Sequence, residues 1–143
     1  MDKRWMVAAF AMLLGVSAPA PVLRGAPAAT SAPQDASVGE LLRRDLIDGP
    51  GKEIVMLTVT YPAAGASLPH RHDAQVFVYV LEGEVRMQVQ GGPIVTLRPG
   101  QTFYEAPSDV HVVSANTSTI AAAKLLVVMV KDKAAPGSRR VTD

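Results

Sequence analysis

PHRHDAQVFVYVLEG, Pro69 to Gly83, is the stretch from which the rest of the chain can be read. Successive side chains of an extended backbone point to opposite faces, so Val76, Val78 and Val80 share one face while Phe77, Tyr79 and Leu81 share the other. Both faces are apolar, and a strand of that kind needs cover on each side. At its entry the same alternation places His70 and His72 together, with Arg71 turned the other way. One strand thereby offers two imidazoles to a common point.

The neighbouring segments repeat the extended pattern. Glu53 to Tyr61 (EIVMLTVTY) is rich in β-branched residues and stops at Pro62. Val85 to Gln90 sets Val85, Met87 and Val89 against Arg86, Gln88 and Gln90, the mark of a half-buried strand. Gly91-Gly92-Pro93 turns that strand into Ile94 to Leu97, a hairpin. Pro99-Gly100 turns the chain again into a short strand, Thr102 to Glu105, and Lys124 to Val130 is the last strong strand. Short strands between Gly/Pro turns, with no long helical pattern, predict an all-β sandwich or barrel. Residues 50–131 form this barrel; residues 29–49 read as a flexible linker and N-terminal arm, with Val38 to Leu46 irregular, and residues 132–143 as a loose tail.

The sequence has 143 residues, 48% hydrophobic and 19% charged, which suits one folded domain. Met1-Asp2-Lys3-Arg4 followed by the apolar run Trp5 to Ala18 and then small residues and prolines has the layout of a secretory signal peptide. Ala26-Pro27-Ala28 supplies the cleavage site, which predicts a periplasmic or secreted protein with a mature start near Ala29; an uncleaved anchor is the alternative. The mature chain is nearly neutral and has no basic run, so nucleic acid and, after cleavage, a membrane surface are not expected partners. There is no cysteine. A thiol nucleophile is therefore excluded, and neither a Gly-x-Ser-x-Gly elbow nor a Gly-rich phosphate loop occurs.

The third histidine, His111, follows the loop Ala106-Pro107-Ser108, and the chain has no fourth. Three imidazoles suit a divalent transition metal (Fe, Zn, Mn, Ni or Cu) with positions left open for water or substrate. A metal-free pocket in which the rings only form hydrogen bonds is the plainer reading. Gln75 is a candidate fourth ligand or supporting donor, although alternation turns it from the interior. Glu105 is read as a surface charge; turned inward, it would be the nearest carboxylate able to act as base or ligand. Asp73 fits a turn after His72.

Gly65, His70-x-His72 and Gly83, followed by Gly100, Ala106-Pro107-Ser108, His111 and Asn116, resemble the two motifs of a small single-domain bacterial cupin. The likeness runs from about Ile54 to Val130. It implies a double-stranded β-helix, or jelly-roll barrel, of antiparallel strands with a divalent metal inside. The family's usual glutamate ligand falls at Val76, counting back from Gly83, and valine cannot bind a metal. Some cupin dioxygenases use three histidines, so the resemblance implies dioxygenase-like or isomerase chemistry on a small molecule. The alternative is a non-catalytic module that binds or senses a small ligand in the same pocket. The second apolar face of the Gln75–Leu81 strand predicts a homodimer, or cover by the N-terminal segment.

Overall fold

The computed structural model describes residues 35–141, so the signal peptide read at residues 1–28 lies outside the described residues. Ten strands run in chain order: β1 (Ser37–Asp45), β2 (Lys52–Tyr61), β3 (His70–Arg71), β4 (Ala74–Glu82), β5 (Val85–Val89), β6 (Val95–Leu97), β7 (Thr102–Glu105), β8 (Val110–Asn116), β9 (Ala123–Asp132) and β10 (Arg139–Arg140). They form two five-stranded sheets, ordered β1-β2-β9-β4-β7 and β10-β3-β8-β5-β6. Every pairing is antiparallel. The architecture is the all-β jelly roll that the strand pattern and the motif resemblance predict.

The core lies between the sheets and follows from the period-two pattern. Ala74, Val76, Val78 and Val80 of β4 pack with Val55 of β2, Leu125, Val127 and Met129 of β9, and Val85 and Met87 of β5. Each such side chain, once fully buried, contributes about 1.5–3 kcal/mol, so this layer gives the pocket beside it a rigid floor. Gly83 ends β4 at a φ of 75°, and a Cβ there would lie 2.8 Å from the Ala123 Cα. Only glycine fits that corner. Asn116 ties the loops at the end of β8 by donating to the Pro62 carbonyl at 2.9 Å and the Ala121 carbonyl at 2.7 Å, while accepting from the Ser118 N–H at 2.9 Å.

Two terminal segments differ from the sequence reading. Val38 to Leu46, expected to be irregular, lies largely in β1, which pairs along β2 from Ser37↔Thr60 to Asp45↔Glu53 with an irregularity between Glu40 and Leu42. Almost all of its side chains are exposed, so no apolar periodicity betrays it; the backbone ladder covers the edge that β2 would otherwise present. Arg43 on β1 and Lys131 on β9 both reach the buried Glu53 carboxylate, Lys131 at 2.7 Å. The tail, expected to be loose, adds β10 alongside β3.

Outside the first sheet, Phe77, Tyr79, Leu81 and Tyr104 remain 39–49% exposed. Phe77 and Tyr104 meet across β4 and β7 with ring centroids 5.2 Å apart. The described N-terminal residues do not cover this face, because β1 extends the sheet at its opposite edge.

Candidate metal centre

His70 enters from β3, directly opposite His111 on β8. Directly paired residues of an antiparallel ladder share one face of the sheet, so both rings enter the interior, with centroids 5.2 Å apart. His72 follows one residue beyond β3, its ring centroid 5.0 Å from that of His70. His111 is 3% exposed and lies against Phe103, ring centroids 5.8 Å apart. The two histidines paired by alternation and the third, which follows the Pro107 loop, are thus gathered at one end of the barrel.

The fourth member of the cluster is Glu105. It is 2% exposed, with Oε2 3.2 Å from His111 Nδ1 and 3.8 Å from His72 Nε2. β7 pairs with β4 so that Glu105 stands directly opposite Val76. The carboxylate missing from β4 is therefore supplied from the next strand, on the same inward face. The reading of Glu105 as a surface charge is corrected, and the signal for it lay nearby: the apolar Phe103 packs half-buried against the core, and two residues along a strand return to the same face. Gln75 is corrected in the opposite sense. It is exposed on the outer face of β4 across from Val130, its neighbours Ala74 and Val76 having taken the inward positions.

Hydrogen bonding fixes the tautomers of two of the rings. His70 Nδ1 lies 2.7 Å from the Leu68 carbonyl and His72 Nδ1 lies 2.5 Å from the Gly137 carbonyl. A carbonyl only accepts, so each Nδ1 carries the proton and each neutral ring keeps its lone pair on Nε2. His111 Nε2 and Glu105 Oε2 are buried without a hydrogen-bond partner. Electron-rich atoms converge here, and such a set favours a cation. No group of three or more His, Asp or Glu side chains among the described residues is already set at metal-holding geometry. In this arrangement the carboxylate and imidazoles face one another.

The electrostatics of His70 and Glu105 favour a neutral ring beside an ionised carboxylate. Burial holds the His70 imidazolium pKa below its ordinary value, and the other two rings add to the effect. Burial alone would raise the Glu105 carboxyl, but His111 and the other imidazoles outweigh it and hold the group below its usual range. Both depressed values mean that the unfolded chain takes up protons first as pH falls. In metal-free protein, the His70 contribution is complete above 6.5 and shrinks as pH drops below that value; the Glu105 contribution is lost below 4.5. Urea unfolding from pH 8 to pH 4 should therefore show stability falling from about pH 6.5 and again below about pH 4.5. The Glu53 carboxyl, paired with Lys131 and Arg43, adds to the second fall, and Glu105→Gln should make that fall smaller. A flat profile across this range would contradict the assignment.

The cluster opens into a cavity of about 600 Å³ whose walls include Leu57, Val59, Val127 and Met129, with Arg140 and Asp35 also lining it. That volume lies within the usual range of small-molecule sites. The chemistry gathered is a mostly apolar chamber with one polar end.

A family model described as the cupin domain matches residues 57–129. No curated protein matches the chain by sequence. Among solved structures, a recombinant oxalate oxidase in complex with glycolate aligns with a TM-score of 0.57 at 24% identity, over 77% of this chain and 57% of that one. DMSP lyase DddQ from Ruegeria pomeroyi DSS-3 aligns with a TM-score of 0.54 at 20% identity, over 62% of this chain and 43% of that one. An uncharacterized conserved protein with a double-stranded β-helix domain from Klebsiella pneumoniae subsp. pneumoniae MGH 78578 gives 0.58 at 17% identity, over 76% and 86%. The chain spans about half the length of the lyase and oxidase structures. At these identities the likeness is one of fold.

Proposed function

The chain belongs to the cupin family, and from that premise we propose that its barrel holds one divalent transition metal through His70, His72, His111 and Glu105 and acts on a small molecule in the adjoining cavity. The observation that carries this reading is the position of Glu105: a buried carboxylate stands opposite Val76, facing three imidazoles, with no polar neighbour for its Oε2 closer than the His111 ring at 3.2 Å. A bound ion would supply Lewis-acid polarisation or an activated water, the chemistry on which dioxygenase-like and isomerase reactions draw. The protein's own share is to orient two rings through Leu68 and Gly137, favour the neutral form of His70 by burial and surround the substrate with apolar walls.

Chelator-stripped protein titrated with Co(II) should take up about one equivalent per chain with visible bands of imidazole ligation. The absence of saturable uptake would overturn the metal reading. The apolar cavity also supports a second reading, a module that holds a small ligand without turnover. Oxygen consumption with small phenols, diketones and thiols tests the dioxygenase-like reading, whereas a ligand that raises the melting temperature and is recovered chemically unchanged supports the binding module.

In the same proposal, residues 1–28 direct export to the periplasm or beyond and are removed, so sequencing the mature N-terminus should begin near Ala29; an intact Met1 would contradict this. The exposed Phe77, Tyr79 and Tyr104 face meets a second copy of the chain, giving a homodimer. Phe77→Asp with Tyr104→Asp should then halve the sedimenting mass, and a wild-type protein that is already monomeric would end that part of the reading.

A further inference from the structure

The C-terminal segment meets the histidine-bearing strand and its flanks through backbone pairing, an ion pair and a bond to His72. Arg140 pairs with His70 and Arg139 with Arg71, so β3, only two residues long, has β10 on one side and β8 on the other. The Val141 N–H donates to the Pro69 carbonyl at 3.1 Å. Arg139 Nε lies 2.7 Å from Asp73 Oδ2, just past His72. The Gly137 carbonyl accepts the Nδ1–H of His72. A two-residue strand held on one edge alone would have little to fix its direction, and a metal-ligating ring is commonly oriented by the acceptor at its other nitrogen.

We propose that residues 137–141 are a positioning strap for the metal centre. The strap sets the tautomer and aim of His72 and the direction of β3, so the affinity of the site for its ion depends on strap docking. The inference rests on the metal reading above. By reciprocity, an ion that binds more tightly with the strap in place must also favour strap docking. None of residues 137–141 belongs to the hydrophobic core, so the strap acts on the site and leaves the barrel standing.

A chain ending at Pro136, which keeps the Lys131 bond to the Ala135 carbonyl, is compared with the full chain. Its affinity for Co(II) should fall about 10–100-fold, with the metal-free melting temperature little changed. Arg139→Asp alone should lower the affinity in the same direction, and Asp73→Arg added to it should restore part of the loss, which a loss of bulk or fold would not do. Equal Co(II) affinity in the full and shortened chains would overturn the strap.

A second readout needs no metal. In nitrogen-15 spectra of metal-free protein, the His72 Nδ1–H should be a protected proton in the full chain and exchange freely in the shortened one. If neither chain takes up Co(II), the metal reading falls while this proton still decides the strap. A proton equally protected in both chains, or in neither, overturns it.

Discussion

A His70→Ala/His72→Ala protein is expected to bind almost no Co(II), less than about a tenth of an equivalent under conditions that saturate the unaltered chain. The two rings are the pair whose Nε2 lone pairs are left available by Nδ1–H bonds to Leu68 and Gly137. Without them, only His111 and Glu105 remain, 3.2 Å apart, and two ligands are too few to hold a transition ion firmly. Both altered side chains are partly exposed, and the core of Val76, Leu125 and Met129 does not include them. The variant should accordingly keep the β-rich circular dichroism and cooperative unfolding of the parent. Retained stoichiometric binding in a folded double variant would place the ion elsewhere.

The second large effect is expected at Glu105. Glu105→Gln preserves shape while removing the negative charge, and should lower Co(II) affinity on the order of 100-fold or more, at or beyond the top of the range seen when a ligand's supporting group is removed. The contrast with Gln75 gives the test its specificity. Gln75→Ala alters an exposed side chain on the far side of β4 and should leave the affinity within about twofold, since surface changes away from a site perturb little. Returning a carboxylate to the other strand gives a stronger contrast. Val76→Glu in the Glu105→Val background moves the charge across the β4–β7 pair onto the same face, and should recover part of the lost binding. Equal affinity in Glu105→Gln and the parent would remove Glu105 from the ligand set and leave three imidazoles to account for uptake.

The fold was legible where packing imposes alternation. β2, β4, β5 and β9 bury one face, and the glycine turns fall between them, so both sheets could be expected from residue pattern alone. β1 and β10 were hidden for a common reason. Their stabilisation comes from backbone ladders and ion pairs at sheet edges, and their exposed side chains carry no period. At the site, alternation brought His70 and His72 together correctly, while the shared interior of His70 and His111 depends on a strand pairing that no local pattern specifies. Glu105 runs against the general preference of carboxylates for the surface, and the direction of its short strand is the one sequence signal that turns it inward. Phe103, two residues earlier and packed against the core, shares that direction.

The central claim is that side chains from β3, β7 and β8, together with His72, share one ion. X-ray absorption at the edge of Co(II) or Zn(II) loaded into the stripped protein tests it most directly, because imidazole rings scatter in a way that lets them be counted. The account predicts three imidazoles with a light oxygen shell from Glu105 and solvent. A shell with one imidazole or none would contradict it.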